Sequence, residues 1–467
     1  MKLTKLALVA ALNAIVAVST GLGQQPIQAD GSAIQQVGCT ESSCESGCTE
    51  MICDDDCSSG GGGSFRLRHG FDIGFGRGVR NYSRSLGSRV WDTVGPRGLC
   101  EDACCEPAWS LCEPACDSDP KFGGWLQAGY HSRGVSGRDT SPSRFNNNQD
   151  ELQIHQSWLF AEKKAVSKCG RCGWGYRIDS VIGTDGPDTQ AFGGNNDHWD
   201  NDWDIGSDYG VAIPQLYAEL AYYDLSVKLG HFYTIIGYEV VQAPQNFFYS
   251  HAWTMVNSEP FTHTGFLASY EMSDDLTLYG GYSFGWDTGF NNNGDNFIGG
   301  FSLDINESTT LAITAAIGRI DETGVGPLAA EVGQMFSAVV TRQLSDDVTY
   351  VFQCDWLDTN TAGNNTAEFR RTIGINQYLM YQLNCNWAAG TRFEWWQADG
   401  PRWADVNGNA ASSANIFDWT VGLNYRHNGN FIVRPEIRWT SDTDRLGANQ
   451  GFDSDQIALG CDSIFTF

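Results

Sequence analysis

Phe417-Asp-Trp-Thr-Val-Gly-Leu-Asn-Tyr425 alternates with a period of two. Phe417, Trp419, Val421, Leu423 and Tyr425 share one side, while Asp418, Thr420, Gly422 and Asn424 share the other. That period belongs to an extended strand with one apolar and one wet face, not to a helix. The next segment repeats it, with Phe431, Val433, Pro435, Ile437 and Trp439 against Arg434, Glu436, Arg438 and Thr440. Trp387, Ala389, Thr391, Phe393 and Trp395 alternate with Arg392 and Glu394, and Trp174, Tyr176, Ile178 and Ile182 alternate with Arg177 and Asp179. A water-soluble sandwich would turn these arginines outward and the aromatics inward. A membrane barrel inverts that geometry.

Sixteen such segments lie between residues 124–132 and 455–467, most of them nine to thirteen residues long. Strands of soluble sheets have a mode of about five or six residues, whereas tilted transmembrane strands need ~9–11. The connections alternate long and short: 185–210, then Asp224; 238–260, then Asp274-Asp275; 322–333, then Asp346-Asp347; 399–415, then 427–429. This rhythm predicts an all-β, up-and-down antiparallel transmembrane barrel of about 16 strands, with short periplasmic turns and long external loops. Trp419, Leu423, Val433 and Ile437 should face lipid, and Arg392, Arg434 and Arg438 the lumen. Pro435 costs an interior strand a ladder bond and predicts a bulge. Tyr222, Tyr223, Tyr270, Tyr350, Tyr381, Trp387, Tyr425 and Phe431 should form one aromatic girdle, and Trp286, Trp356, Trp395 and Trp439 the other.

The composition agrees. Only 18% of the 467 residues are charged, 12% are aromatic, and glycine contributes 54. The net charge of −27 argues against a nucleic-acid partner, because binding phosphate needs clustered Lys and Arg. Lys2 and Lys5 before the apolar run from Leu6 to Val18, with small residues at Gly21 and Gly23, predict a signal peptide over 1–23. Residues 24–121 form an irregular segment rich in Cys and Gly, holding ten of the fifteen cysteines and the arginines Arg66, Arg68, Arg77, Arg80, Arg84, Arg89 and Arg97. Its expected place is the periplasm, as a solvated linker or in contact with an anionic cell-wall polymer or lipid headgroups. The spacing of Cys44, Cys48, Cys53 and Cys57 admits zinc or disulfides, and an exported compartment favours disulfides. Cys169-Gly-Arg-Cys172 predicts a disulfide closing a turn.

The barrel part contains Gly123-Gly-Trp-Leu-Gln-Ala-Gly-Tyr130, Ser157-Trp-Leu-Phe-Ala-Glu-Lys163, Arg177-Ile-Asp-Ser-Val-Ile-Gly-Thr-Asp185, Leu229-Gly-His-Phe-Tyr-Thr-Ile-Ile-Gly-Tyr-Glu239 and Arg392-Phe-Glu-Trp395. In these segments residues 122–467 resemble the OmpL-like porin-2 group of β-barrel porins. It implies an outer-membrane pore and supplies no catalytic residues.

The expected function is passive diffusion of small hydrophilic solutes or ions, with no cofactor. The eight histidines are scattered and no GxSxG or HExxH occurs, which argues against an enzyme. The alternative is a structural or adhesive barrel that anchors the cell wall through its cysteine-rich segment. Expected partners are outer-membrane lipid and lipopolysaccharide, the barrel-assembly machinery acting through Phe467, and further copies of the chain. Loop 238–260 is unusually apolar, with Val240, Val241, Phe247, Phe248, Tyr249, Trp253, Met255 and Val256, and should pack against the inner wall. Its Glu239 and Glu259 are expected to face Arg177, Arg392, Arg426, Arg434 and Arg438, partly balanced by Glu394 and Glu436, as a pore constriction. Residues 122–467 hold 19 basic and 41 acidic side chains, a net of −22, which predicts mild cation selectivity. Asp200, Asp202, Asp204 and Asp208 are a weak cation-binding candidate, since the EF-hand frame fails at Ile205 and Val211. A solvated acidic loop is the simpler account of them.

Overall fold

The computed structural model describes residues 120–134, 145–146, 148–167, 171–191, 200, 203–290, 295–321, 331–361, 368–404, 410–442 and 455–467. The expected signal peptide, nearly all of the segment 24–121, Cys169 and Asp202 lie outside the described residues.

The strands are β1 (Lys121–His131), β2 (Leu152–Lys163), β3 (Gly173–Gly183), β4 (Asp204–Ile205), β5 (Tyr209–Tyr222), β6 (Leu225–Tyr233), β7 (Thr262–Ser273), β8 (Leu276–Ser283) and β9 (Asn296–Asn306). They continue with β10 (Thr309–Asp321), β11 (Glu331–Ser345), β12 (Val348–Thr361), β13 (Glu368–Gln382), β14 (Trp387–Ala404), β15 (Ala410–Asn428), β16 (Phe431–Asp442) and β17 (Asp455–Thr466). Successive wall strands pair antiparallel, and β17 pairs back onto β1, so the sheet closes. The two-residue β4 pairs only with β5, while β3 and β5 pair directly, leaving sixteen strands in the wall. Closure leaves no open edge, which a strand surrounded by lipid could not tolerate. Phe467 completes it: its N–H donates to the Gly124 carbonyl and its carbonyl accepts from the Gly124 N–H, each at 3.0 Å.

Alternation decides what each face meets. Along β15 and β16, Trp419 (53% exposed), Leu423 and Ile437 (54%) point outward with the half-buried Val433, while Asp418, Thr420, Arg434, Glu436 and Arg438 are buried inside. The inward side chains of β12, Thr349, Val351, Gln353, Asp355, Leu357 and Thr359, are buried along the whole strand. The barrel interior at this level is therefore lined by packed protein and not by open water.

Several expectations are corrected. The connection expected at 399–415 shrinks to 405–409, because β14 and β15 run on as a hairpin with register shifts at Gly400. Those residues lack alternation, so partner hydrogen bonding alone makes them strand. Pro435 causes no bulge. The β15–β16 ladder skips the residues between Gly422↔Glu436 and Tyr425↔Val433 with its register unchanged, and the exposed proline still pairs with Cys461 of β17. Trp286 leaves the aromatic girdle: it sits beyond the end of β8, is buried in an inner cluster, and the Arg370 guanidinium lies 5.0 Å from its ring centre.

Candidate functional site

Between β6 and β7 the chain turns into the barrel, and residues 234–261 pack against the inner wall on three sides. Tyr238, Phe247 and Phe248 join Val339, Val351, Tyr378 and Met380. Val241, Ala252, Met255 and Val256 join Trp125, Trp158, Val181 and Ile464. Ile235 and Ile236 join Phe232, Ile298, Met335 and Leu357. This burial accounts for so apolar a loop, since its side chains trade water for the wall.

Inward glycines make the seat. A Cβ at Gly390 would come within 2.4 Å of Phe247, at Gly374 within 2.3 Å of Thr254, and at Gly460 within 2.9 Å of Tyr249. Within the loop, Gly237 has φ +86°, and a Cβ there would collide with the Glu259 carboxylate.

Charged wall residues then hold the loop's backbone. Arg434 grips both oxygens of Asp462, at 2.9 and 2.5 Å, and its Nη1 donates to the carbonyls of Ala243, Asn246 and Phe248 at 2.7–3.1 Å. Glu436 accepts the N–H groups of Tyr249 and Ser250 at 2.9 and 3.1 Å. Glu394 accepts the N–H groups of Trp253 and Thr254, both at 2.7 Å, at the start of the short helix α1 (Trp253–Ser258). Arg438 pairs with Asp418 at 2.5 Å and donates to the His251 carbonyl at 3.0 Å. Arg392, fully buried, donates to Glu239 and to the Ser250 carbonyl, both at 2.7 Å. Glu239 also receives the Tyr378 hydroxyl at 3.1 Å and the Ala252 N–H at 2.8 Å. Acid and base here touch instead of facing each other across a gap.

Two candidate residues lie elsewhere. Arg177 is committed to Glu162 and Asp179 on its own stretch of wall, at 2.6 Å each. Arg426 is half-buried beside the short β15–β16 turn, where its N–H donates to the Asn386 carbonyl at 2.7 Å. Several residues that hold the loop were not singled out from sequence. His155 bridges Asp185 (3.2 Å) and the Tyr249 hydroxyl (2.6 Å), and Gln156 bonds the Val241 carbonyl at 2.7 Å and the Ala243 N–H at 3.1 Å. The inward parity of Asp418 and Asp462 was a usable signal; the bulge at His155 of β2, opposite Gln127 and Ala128 of β1, which puts both His155 and Gln156 inside, was not.

The loop's two glutamates titrate in opposite senses. Burial alone would raise Glu239, but the Arg392 guanidinium outweighs it and holds the carboxyl at about 2. Glu259 is pushed well above the ordinary range by burial and by Asp355 beside it, and Gln353 donates to both, at 2.6 and 2.8 Å. The stability contributed by Glu239 is full above the ordinary carboxylate value and lost as pH falls toward 2. The contribution of Glu259 is present below that value and lost as pH rises. Glu259→Gln should therefore flatten the loss of stability as pH rises above the ordinary carboxylate range, measured by urea unfolding in detergent at several pH values. An unchanged pH profile would overturn this assignment.

The acidic loop holds no metal cluster among the described residues. Asp200 is buried and accepts the N–H groups of Ala191 (3.1 Å) and Ile213 (3.0 Å), with burial pushing its carboxyl up to about 6; Asp204 accepts from Gln190 at 3.2 Å. Asp208 is exposed in the adjoining turn. Asp200 is thus a brace for the loop, not part of a solvated acidic run. Cys172 is an exposed free thiol, so the bridge expected between it and Cys169 is not formed. Cys354 and Cys461 are also free, while Cys385 is disulfide-bonded.

A family model described as beta-barrel porin-2, OmpL-like, matches residues 120–467. The chain belongs to this porin family. Solved structures similar to this porin-2 barrel include in-vitro folded OmpT of Vibrio cholerae, with 10% identity over 77% of this chain and 100% of that chain and a TM-score of 0.50. The outer membrane channel DcaP of Acinetobacter baumannii has 10% identity over 75% and 97%, with a TM-score of 0.47. An anion-selective porin from Comamonas acidovorans has 9% identity over 75% and 99%, with a TM-score of 0.48. At such identities the OmpT likeness shows the fold alone. No curated protein matches the chain. The porin-2 barrel therefore sits in the bacterial outer membrane, and its residues 234–261 lie inside it.

Proposed function

We propose that this porin-2 barrel is a diffusion channel for small hydrophilic solutes, with residues 234–261 as its constriction and a mild preference for cations. The observation that carries the proposal is the loop itself. Buried wall charges, Arg392, Arg434, Arg438, Glu394 and Glu436, hold it inside the lumen when an exposed loop would need none of them. Its close packing makes the passage narrow, so conductance should be small for a sixteen-strand wall. The acidic balance of residues 122–467, net −22, favours cations at the mouths, and that preference should fade near molar salt as the screening length shrinks to about 3 Å.

Planar-bilayer reversal potentials in a salt gradient test the selectivity. Glu239→Gln takes from the buried Arg392 its 2.7 Å partner and leaves it only Asp418 at 3.8 Å, which should shift the potential toward anions. No change in potential or conductance would remove the loop from the permeation path. The buried inner face of β12 favours a second reading, a structural barrel with a closed interior. That reading requires that no current be seen. In either case the outward apolar belt meets lipid and, on the outer leaflet, lipopolysaccharide.

A further inference from the structure

Toward the short-turn rim the inner wall opens into a cavity of about 80 Å³ lined by Glu162, Tyr217, Glu219, Lys228, Tyr233 and Leu267. The turn residues Ala165, Ser167, Tyr223 and Asp224 also line it, so its mouth faces that rim. Glu219 on β5 and Lys228 on β6 are direct partners across the ladder. They nevertheless form no ion pair with each other. The Lys228 ammonium lies 4.9 Å from the centre of the Tyr217 ring, and Glu162, the neighbouring acid, is taken by Arg177 at 2.6 Å. The Tyr233 hydroxyl, at the same cavity, is buried and makes no hydrogen bond.

Glu219 and Lys228 are half-buried at one small space and not held in an ion pair, and the buried Tyr233 hydroxyl beside them is costly to leave without a partner. A solute carrying one charge would satisfy one wall residue and be repelled by the other. A solute carrying both charges a few bonds apart satisfies the pair together. We propose that this cavity binds a small zwitterion of the α-amino-acid type, its carboxylate on Lys228 and the Tyr233 hydroxyl, its ammonium on Glu219. The Tyr217 ring fixes the lysine by a cation–π contact, so little side-chain freedom is lost on binding. The volume suits a solute of glycine size, and a larger side chain would project through the mouth. The inference rests on the channel proposal only for the route by which solute arrives.

Calorimetric titration of the folded full-length chain in detergent with glycine, sodium acetate and methylammonium chloride, at equal ionic strength, tests it without requiring conduction. Glycine should bind at least tenfold more tightly than either singly charged probe. Lys228→Met and Glu219→Gln should each weaken glycine by tenfold or more, about 1.4 kcal/mol. Glycine binding no tighter than acetate or methylammonium overturns the proposal, and that comparison needs no variant to fold. Glycine affinity unchanged in both variants overturns it as well. Absence of current with glycine binding intact would count against the channel alone, whereas current without glycine binding would count against this site alone.

Discussion

Arg434→Met is expected to lower the stability of the barrel by about 3–5 kcal/mol, the range for removing one partner from a buried charge network. Arg434 is buried and makes every bond its guanidinium offers the loop, to three carbonyls, besides gripping Asp462. Methionine replaces the stem's volume but none of the donors. Asp462 would keep Gln127 at 2.7 Å and lose its counter-charge. Three loop carbonyls would be left without this donor inside the barrel. Urea unfolding in detergent, followed by tryptophan fluorescence, gives the loss. Single-channel recording should show a larger and noisier current as the loop moves on its remaining contacts to Arg392, Arg438, Glu394 and Glu436. A loss under 1 kcal/mol with an unchanged trace would mean that Arg434 does not hold the loop.

Excising residues 240–258 and joining the ends with a short Gly-Ser link should change conductance more than any point substitution. A sixteen-strand wall without an inserted segment encloses an aqueous channel, so conductance should rise several-fold and neutral polymers excluded before should enter. The same excision would strip Phe247 and Phe248 from Val339, Val351 and Met380, all buried at the inner wall. At ~25 cal/mol per Å² of apolar surface, the opened barrel should also be less stable. Equal conductance before and after excision would show that the loop is no constriction.

Sequence alone determined the wall. Strict alternation in segments such as 417–425, strand lengths and the long-short rhythm of the connections all follow from one constraint: a chain in lipid must pair every backbone group and turn its apolar face outward. The apolarity of loop 238–260 was equally legible, because an exposed segment has no use for Phe247, Phe248, Trp253 and Met255 together. The partners were not legible. That Arg434 would reach three carbonyls and Arg392 would meet Glu239, while Arg177 would stay with Glu162 and Asp179, depends on which wall strands the loop crosses, a distance of 150 residues or more along the sequence. Pro435 and Trp286 were misplaced for the same reason: the first needs no bulge where its neighbours keep register, and the second follows a chain that turns inward beyond β8. The period of a strand is local chemistry fixed by its own residues, whereas the contents of the lumen are set by closure of the ring, which no single segment contains.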